Sequence, residues 1–162
     1  VFRDFAPYVV RVLPRLGVAA RDVDDVAQEV FLAVFRGLPG FEGRSSMKTW
    51  VYGICIRVAK NHNKRAYHRR ERLDEPSAES ADPHTPAAEL ESRRALTQLD
   101  QALAQLPEAQ RIAFVLHQIE ALSVGEIAAV TGSSKFTIYA RLYAARRRVL
   151  GAFADRGGGF DP

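Results

Sequence analysis

Apolar residues along this chain recur every three or four positions, the spacing of one face of an α-helix. The breaks between such runs carry glycine, proline or small polar residues. Phe5, Tyr8, Val9, Val12, Leu13 and Leu16 predict a first amphipathic helix ending near Gly17. Asp22 stands where a cap for a second helix is needed. Val23, Val26, Ala27, Val30, Phe31, Val34 and Phe35 then keep helical spacing until Gly37, Pro39 and Gly40 stop the run. After a polar loop at 41–47, a third helix is expected to turn Trp50, Val51, Ile54, Cys55 and Val58 inward. Its outer side would carry Arg57, Lys60, Asn61, Lys64 and Arg65.

Residues 74–88 break this pattern with three prolines, small residues and mostly acidic charge, a composition with too few apolar residues to fold alone. Leu96, Leu99, Leu103 and Leu106 then form another helical stripe. Pro107 suits the first turn of a helix that buries Ile112, Val115, Leu116 and Ile119. Ser123-x-x-Glu126 is a capping box, Thr131-Gly132-Ser133 breaks the helix it opens, and Ser134 can cap the next. Ile138, Leu142, Ala145 and Val149 make one buried stripe, with Arg141, Arg146, Arg147 and Arg148 off it. Two short helices around a glycine turn present a recognition helix to the major groove. They also describe an ordinary helical hairpin with a solvated basic end. The expectation is an all-α fold of two small helical domains, 1–73 and 92–154, the second a helix-turn-helix. An acidic flexible linker at 74–91 joins them, and 155–162 form a tail.

Charge sharpens this layout. Residues 1–73 carry 14 Lys and Arg against 7 Asp and Glu, residues 74–95 carry 2 against 6, and residues 96–162 carry 7 against 6. A basic first domain suits a polyanion, of which nucleic acid is the commonest. A basic surface that merely meets solvent is the plainer reading. Cys55 is the single cysteine, so no disulfide forms within the chain, which fits a reducing cytoplasmic setting. No apolar run approaches the roughly 20 residues of a membrane span, and no signal-peptide pattern opens the chain. Residue 1 is Val rather than Met, which leaves the true N-terminus open.

Enzyme signals are poor. His62, His68, His84 and His117 lack metal-ligand spacing, no cysteine pair assists them, and no glycine-rich phosphate loop is present. Neither catalysis nor a metal, a cofactor or a small-molecule substrate is expected. Asp24 and Asp25 sit where carboxylates favour a helix N-terminus. The loop region is more suggestive: Phe41, Arg44, Ser45, Ser46, Lys48 and Thr49 lie beside Trp50 and Tyr52. Rings stack on unpaired bases while cations hold phosphates. The helix behind them can follow a phosphate backbone through Arg57, Lys60, Asn61, Lys64 and Arg65.

These residues carry a family resemblance. Asp22-Val-Asp-Asp-Val-Ala-Gln-Glu-Val-Phe31 resembles the "DAEDLVQEVF" helix of bacterial sigma factors of the extracytoplasmic-function (ECF) type. Phe41-Glu-Gly-Arg-Ser-Ser-Met-Lys-Thr-Trp-Val-Tyr-Gly-Ile54 resembles their promoter-melting segment. Leu106-Pro107 with Glu126-Ile-Ala128, Thr137 and Arg141-Leu142 resembles their C-terminal domain. The likeness covers about residues 5–65 and 96–150. It implies binding to core RNA polymerase, through the clamp helices of the β′ subunit and through the β subunit, recognition of −10 and −35 promoter DNA, and control by an anti-sigma factor. Asp25, Gln28 and Glu29 would grip polymerase. Arg44, Ser45, Lys48, Thr49, Trp50, Arg57, Asn61, Lys64 and Arg65 would bind and melt the −10 element, with loop 41–47 holding a flipped base. Ser134, Lys135, Phe136, Thr137, Tyr139, Arg141 and Arg146 would face the −35 element.

The recognition helix departs from the family pattern "G-(V/I)-S-x-G-T-V-K-S-R-L-x-R-A-R". Phe136 replaces Gly, Tyr139 replaces Lys, Ala144 replaces Arg, and Ser133 replaces the apolar residue after Gly132. Phe136, Tyr139 and Tyr143 share one outward stripe. That stripe suits thymine methyl groups or a partner protein. Two other functions stay open at this point: a stand-alone helix-turn-helix regulator, and a sigma-like interaction protein without promoter activity.

Overall fold

The computed structural model describes residues 2–73 and 87–157, which fold into helices joined by tight turns, with no strand among the described residues. The first half holds α1 (Phe2–Arg15), α2 (Val23–Gly37) and α3 (Met47–Leu73). The second holds α4 (Ala87–Ala104), α5 (Glu108–Phe114), α6 (Val124–Thr131) and α7 (Lys135–Gly157). Part of the expected linker, 74–86, and the end of the expected tail, 158–162, lie outside the described residues. The remainder of both stretches is helical: α4 begins at Ala87 and α7 runs on to Gly157.

α1, α2 and α3 pack pairwise around Val9, Val12, Leu13, Val26, Val30 and Cys55. Burial pushes the Cys55 thiol up to about 12, so it behaves as a small inert core residue. In the second half, α5 and α7 pack most extensively, and Ile138, Leu142, Ala145 and Val149 are all buried as their spacing predicts. The apolar contact is continuous from one half to the other, chiefly where α6 lies on α3.

The capping box forms as read. The Glu126 amide donates to Ser123 Oγ at 3.1 Å and the Ser123 amide to Glu126 Oε2 at 2.7 Å. α6 ends at Gly132, whose φ of +68° is a left-handed conformation that glycine adopts without steric cost. Other expectations are corrected. Asp22 does not cap α2; a turn of 3₁₀ helix at Ala20–Asp22 leads into it, and the Asp22 carboxylate meets His62 Nε2 at 3.3 Å. Pro107 stands just before α5 rather than in its first turn. Leu96 is exposed, because only Leu99, Leu103 and Leu106 turn toward the core. Phe35 is also not a core residue: 77% of it is exposed, since Val26, Val30 and Val34 fill the inner side of α2.

The position of Phe35 distinguishes this packing from the one that periodicity suggests. Phe35→Ser should leave stability within about 0.5 kcal/mol of the parent. Leu13→Ala, at a fully buried site, should cost about 2–5 kcal/mol. Urea denaturation of the two variants checks the assignment, and a large loss for Phe35→Ser would contradict it.

Candidate nucleic-acid interface

Three surfaces gather the residues singled out in the sequence. On α2, Asp25, Gln28 and Glu29 are exposed, since Val26, Ala27 and Val30 take the inner positions. Glu29 pairs with Arg65 of α3 at 3.2 Å, joining two residues to which separate tasks were assigned. Leu32 and Phe35 are exposed as well and continue the line of Asp25 and Gln28 at helical spacing. Sequence reasoning missed them; the signal was an α2 more apolar than one buried face requires.

The second surface is the start of α3. Ser46 Oγ accepts from the Thr49 amide at 3.1 Å and caps the helix. Trp50 stands half-buried against Phe41, with ring centroids 5.0 Å apart. It lies so close over Gly37 that a Cβ there would fall 2.9 Å from the indole, so only glycine fits beneath it. Arg44, Ser45, Thr49, Trp50, Arg57, Lys60 and Asn61 line one open cleft. Arg44 also pairs with Glu42 at 2.5 Å. Further along α3, Arg65 joins His68, Arg69 and Arg72 in a second basic groove, and Lys64 is exposed between the two. Tyr52 does not belong to this surface. It is 1% exposed and its phenol donates to the Glu120 carboxylate, so it has no face free for a base. Thr49 is buried too, its hydroxyl on Glu126 Oε1 at 3.3 Å. Lys48 Nζ donates to the Glu120 carbonyl at 3.3 Å.

The third surface is the outer side of α7. Ser134 Oγ accepts the Thr137 amide at 3.1 Å and lies 2.9 Å from its hydroxyl, so both residues serve the helix cap. Arg141 is half-buried and donates to Ser133 Oγ at 3.1 Å. With its amide oriented to accept, Gln118 takes Arg146 Nε at 3.0 Å. Ser134, Lys135, Phe136, Tyr139, Tyr143 and Arg146 are exposed, Phe136 by 83%. The aromatic stripe therefore lies bare, opposite the buried face of the helix.

Between the first and second halves lies a seam that sequence reasoning did not foresee. Glu120, just after a π-type turn at Val115–Ile119, is 2% exposed. Arg11 grips it in a fork, Nη2 to Oε2 at 2.7 Å and Nε to Oε1 at 3.2 Å. Burial alone would raise the Glu120 carboxyl, but the hydrogen bonds from Arg11 and Tyr52, with the Arg11 and Lys48 charges, hold it below its ordinary value. Burial, and then the carboxylate it donates to, push the Tyr52 phenol up. Ala129, Val130 and Thr131 of α6 also line the cleft on α3. Among the described residues no group of His, Cys, Asp and Glu is arranged to hold a metal, and no helix is long and apolar enough to cross a membrane.

Comparison with known proteins agrees with this layout. The family model for sigma-70 region 2 matches residues 1–76, and that for sigma-70 region 4 matches residues 96–149. The RNA polymerase sigma-H factor of Pseudomonas aeruginosa is 34% identical over 140 residues, covering 80% of this chain and 72% of that protein. The ECF RNA polymerase sigma-E factor of Escherichia coli strain K12 is 32% identical over 141 residues, covering 82% and 74%. Among solved structures, the sigma factor RpoE in complex with the anti-sigma factor NepR from Bartonella quintana has a TM-score of 0.76 at 22% identity, covering 94% of this chain and 96% of that one. CnrH in complex with the cytosolic domain of CnrY has a TM-score of 0.67, also at 22% identity, covering 95% and 85%. At that identity the structural likeness shows a shared fold.

The Glu120 seam has a pH signature. A carboxyl held lower in the folded state than in the unfolded one contributes fully above the ordinary carboxylate range, and that contribution is lost as pH falls through the folded value. Glu120→Gln should therefore melt below the parent at neutral pH, by about 1–3 kcal/mol of stability. The gap should narrow as pH falls below the ordinary carboxylate range. Thermal melts of both proteins across that range check this, and equal midpoints at neutral pH would contradict it.

Proposed function

Because this chain belongs to the extracytoplasmic-function family of RNA polymerase sigma factors, we propose that its three exposed surfaces divide the work of promoter recognition. The protein binds core RNA polymerase, recognises −10 and −35 promoter DNA and initiates transcription. It makes and breaks no bond itself, and it acts in the cytoplasm, where polymerase and promoter are. The observation that carries the division of labour is the pairing, in one chain, of an exposed acidic face on α2 with a basic aromatic cleft on α3 and a bare outer side on α7.

The α2 face, Asp25, Gln28 and Glu29, grips the β′ clamp helices, and Leu32 and Phe35 extend it with an apolar anchor. Buried aromatic and aliphatic side chains carry most of the energy of such interfaces, while the charges set register and on-rate. A second polymerase contact runs to the β subunit. In the loop before α3 and at its start, Arg44, Ser45 and Trp50 receive the opened −10 strand and Lys48 and Thr49 border it, while Arg57, Asn61, Lys64 and Arg65 of α3 follow the adjoining duplex backbone. On α7, Lys135, Arg141 and Arg146 hold phosphates, while Phe136 and Tyr139 meet base edges or thymine methyls in the −35 element. Ser134 and Thr137 cap the helix whose N-terminus enters the groove. An anti-sigma factor is the natural regulator. Of the solved structures to which this chain is similar, the sigma factor RpoE is in complex with the anti-sigma factor NepR, and CnrH with the cytosolic domain of CnrY.

Run-off transcription with purified core polymerase tests the function as a whole, and absence of any transcript over core alone would refute it. Two results would test the assignments within it. Replacing Asp25 and Glu29 together with Arg should weaken core binding by several kcal/mol without loss of helicity; undiminished co-purification with core would remove this face from the interface.

On the recognition helix, Arg146→Ala should weaken binding to all sequences alike and lower the salt slope by about one unit. Phe136→Gly should change the preferred −35 sequence and leave the slope alone. Selection from a randomised −35 library at two salt concentrations reads both, and an unchanged motif for Phe136→Gly would exclude base contact by the ring.

A further inference from the structure

We propose that the aromatic face of α7 reads C5-methyl groups in the major groove. Thymine and 5-methylcytosine are then equivalent to it, and use of the promoter answers to cytosine methylation within the −35 element. The proposal deepens the promoter-binding reading above and rests on it. Three observations carry it.

The first is what the face lacks. From Lys135 to Leu150, α7 has no Asp, Glu, Asn or Gln. Adenine is read in the major groove by a paired amide and cytosine by an accepting carboxylate, and neither is present. The polar groups that remain are placed at the border of the stripe. Arg141 donates to Ser133 Oγ at 3.1 Å, and Arg146 Nε reaches Gln118 at 3.0 Å. The Lys135 side chain lies over Gly125 of α6, its Cε 3.5 Å from where a Cβ would stand. Ser134 and Thr137 serve the helix cap. What is left to meet the bases is apolar ring. Among the groups that base pairs present in the major groove, the C5-methyl is the apolar one.

The second is arrangement. Phe136, Tyr139 and Tyr143 fall within about 60° of arc on the helix. They span about 10 Å along its axis, close to three base-pair steps. The three rings are 83%, 62% and 66% exposed, so none is spent on the core. Ala140 shares their side, is exposed, and is too small to hold the rings off the floor of a groove.

The third is charge. Cations border the rings, and the Arg147 guanidinium lies 5.8 Å from the Tyr143 ring centroid. No carboxylate occurs on α7 before Asp155. Apolar rings set in purely positive surroundings are complementary to a polyanion with apolar groups in its groove, which commits the face to duplex DNA. In 5-methylcytosine the methyl group sits on the same ring carbon as in thymine. A phenyl ring has no polar atom with which to tell the amino group of one base from the carbonyl of the other.

The experiment uses holoenzyme assembled from the full chain and core polymerase, with a duplex promoter whose −35 element comes from the library selection. Each thymine of the element is replaced in turn by uracil, by cytosine and by 5-methylcytosine, with the matching partner base. Beneath the rings, uracil should weaken binding about fourfold, the worth of one buried methyl. Cytosine should weaken it at least as much, and 5-methylcytosine should recover most of the loss. Phe136→Ala should abolish the uracil effect at one position and Tyr139→Ala at its neighbour, while Tyr139→Phe keeps it. Arg146→Ala should leave the uracil effect intact. Because the rings are exposed, these truncations do not put folding at stake. Indifference of the parent to uracil at every position would overturn the proposal. So would a uracil effect that survives both alanine variants, or 5-methylcytosine binding no better than cytosine. Equal binding of all templates by the parent and the alanine variants would assign the stripe to a protein partner, and so overturn it too. A holoenzyme that selects a −35 motif yet tolerates uracil leaves the sigma-factor reading standing. Absence of any selected motif refutes the −35 reading itself, so the two failures are distinguishable.

Discussion

A carboxylate removed from water needs positive charge and hydrogen-bond donors at close range, and Glu120 finds them across the chain, on Arg11 and Tyr52. That requirement fixes how the halves meet. Once the Arg11 fork and the Tyr52 phenol hold the carboxylate, the Glu120 carbonyl comes within reach of Lys48 and the capping-box Glu126 within reach of Thr49. α6 then comes down along α3 at Gly53, where Val130 lies at ordinary van der Waals distance from the position a Cβ would take. The same contact explains why a tyrosine at the edge of a basic aromatic loop is a buried structural donor. Tyr52 follows Trp50 by two positions on a helix, which turns it roughly half-way round the axis. One ring is left toward the cleft and the other toward the seam.

Features governed by neighbours in sequence were legible before the structure. The Ser123–Glu126 box, the Gly132 break, the Ser134 cap and the buried stripe of α7 are decided within a turn or two of helix, and each forms as the residues indicate. The same holds for the outward stripe of Phe136, Tyr139 and Tyr143. What could not be read depends on partners far away in the chain. Arg11 and Glu120 are 109 positions apart, and nothing local marks either as half of a pair. Asp22 was misjudged for a related reason. A preceding turn of 3₁₀ helix supplies the entry to α2, which frees the carboxylate for His62 forty positions on. Phe35 shows the limit of periodicity itself. Helical spacing defines an arc wider than the strip that α1 and α3 cover, and a residue at the edge of the arc can fall on either side.

The recognition helix has two faces of similar apolar character and only one of them is used internally. Ile138, Leu142, Ala145 and Val149 close the core of the second half, while Phe136, Tyr139 and Tyr143 stand in solvent with Leu150 continuing beyond them. Exposed rings cost solubility and offer no internal stability, which is why the stripe is proposed as a contact surface. Cations flank them: Lys135 precedes Phe136, and the Arg147 guanidinium lies 5.8 Å from the Tyr143 ring centroid. A rim of positive charge around apolar rings favours a partner with anionic edges and apolar patches, and a thymine-bearing major groove supplies both.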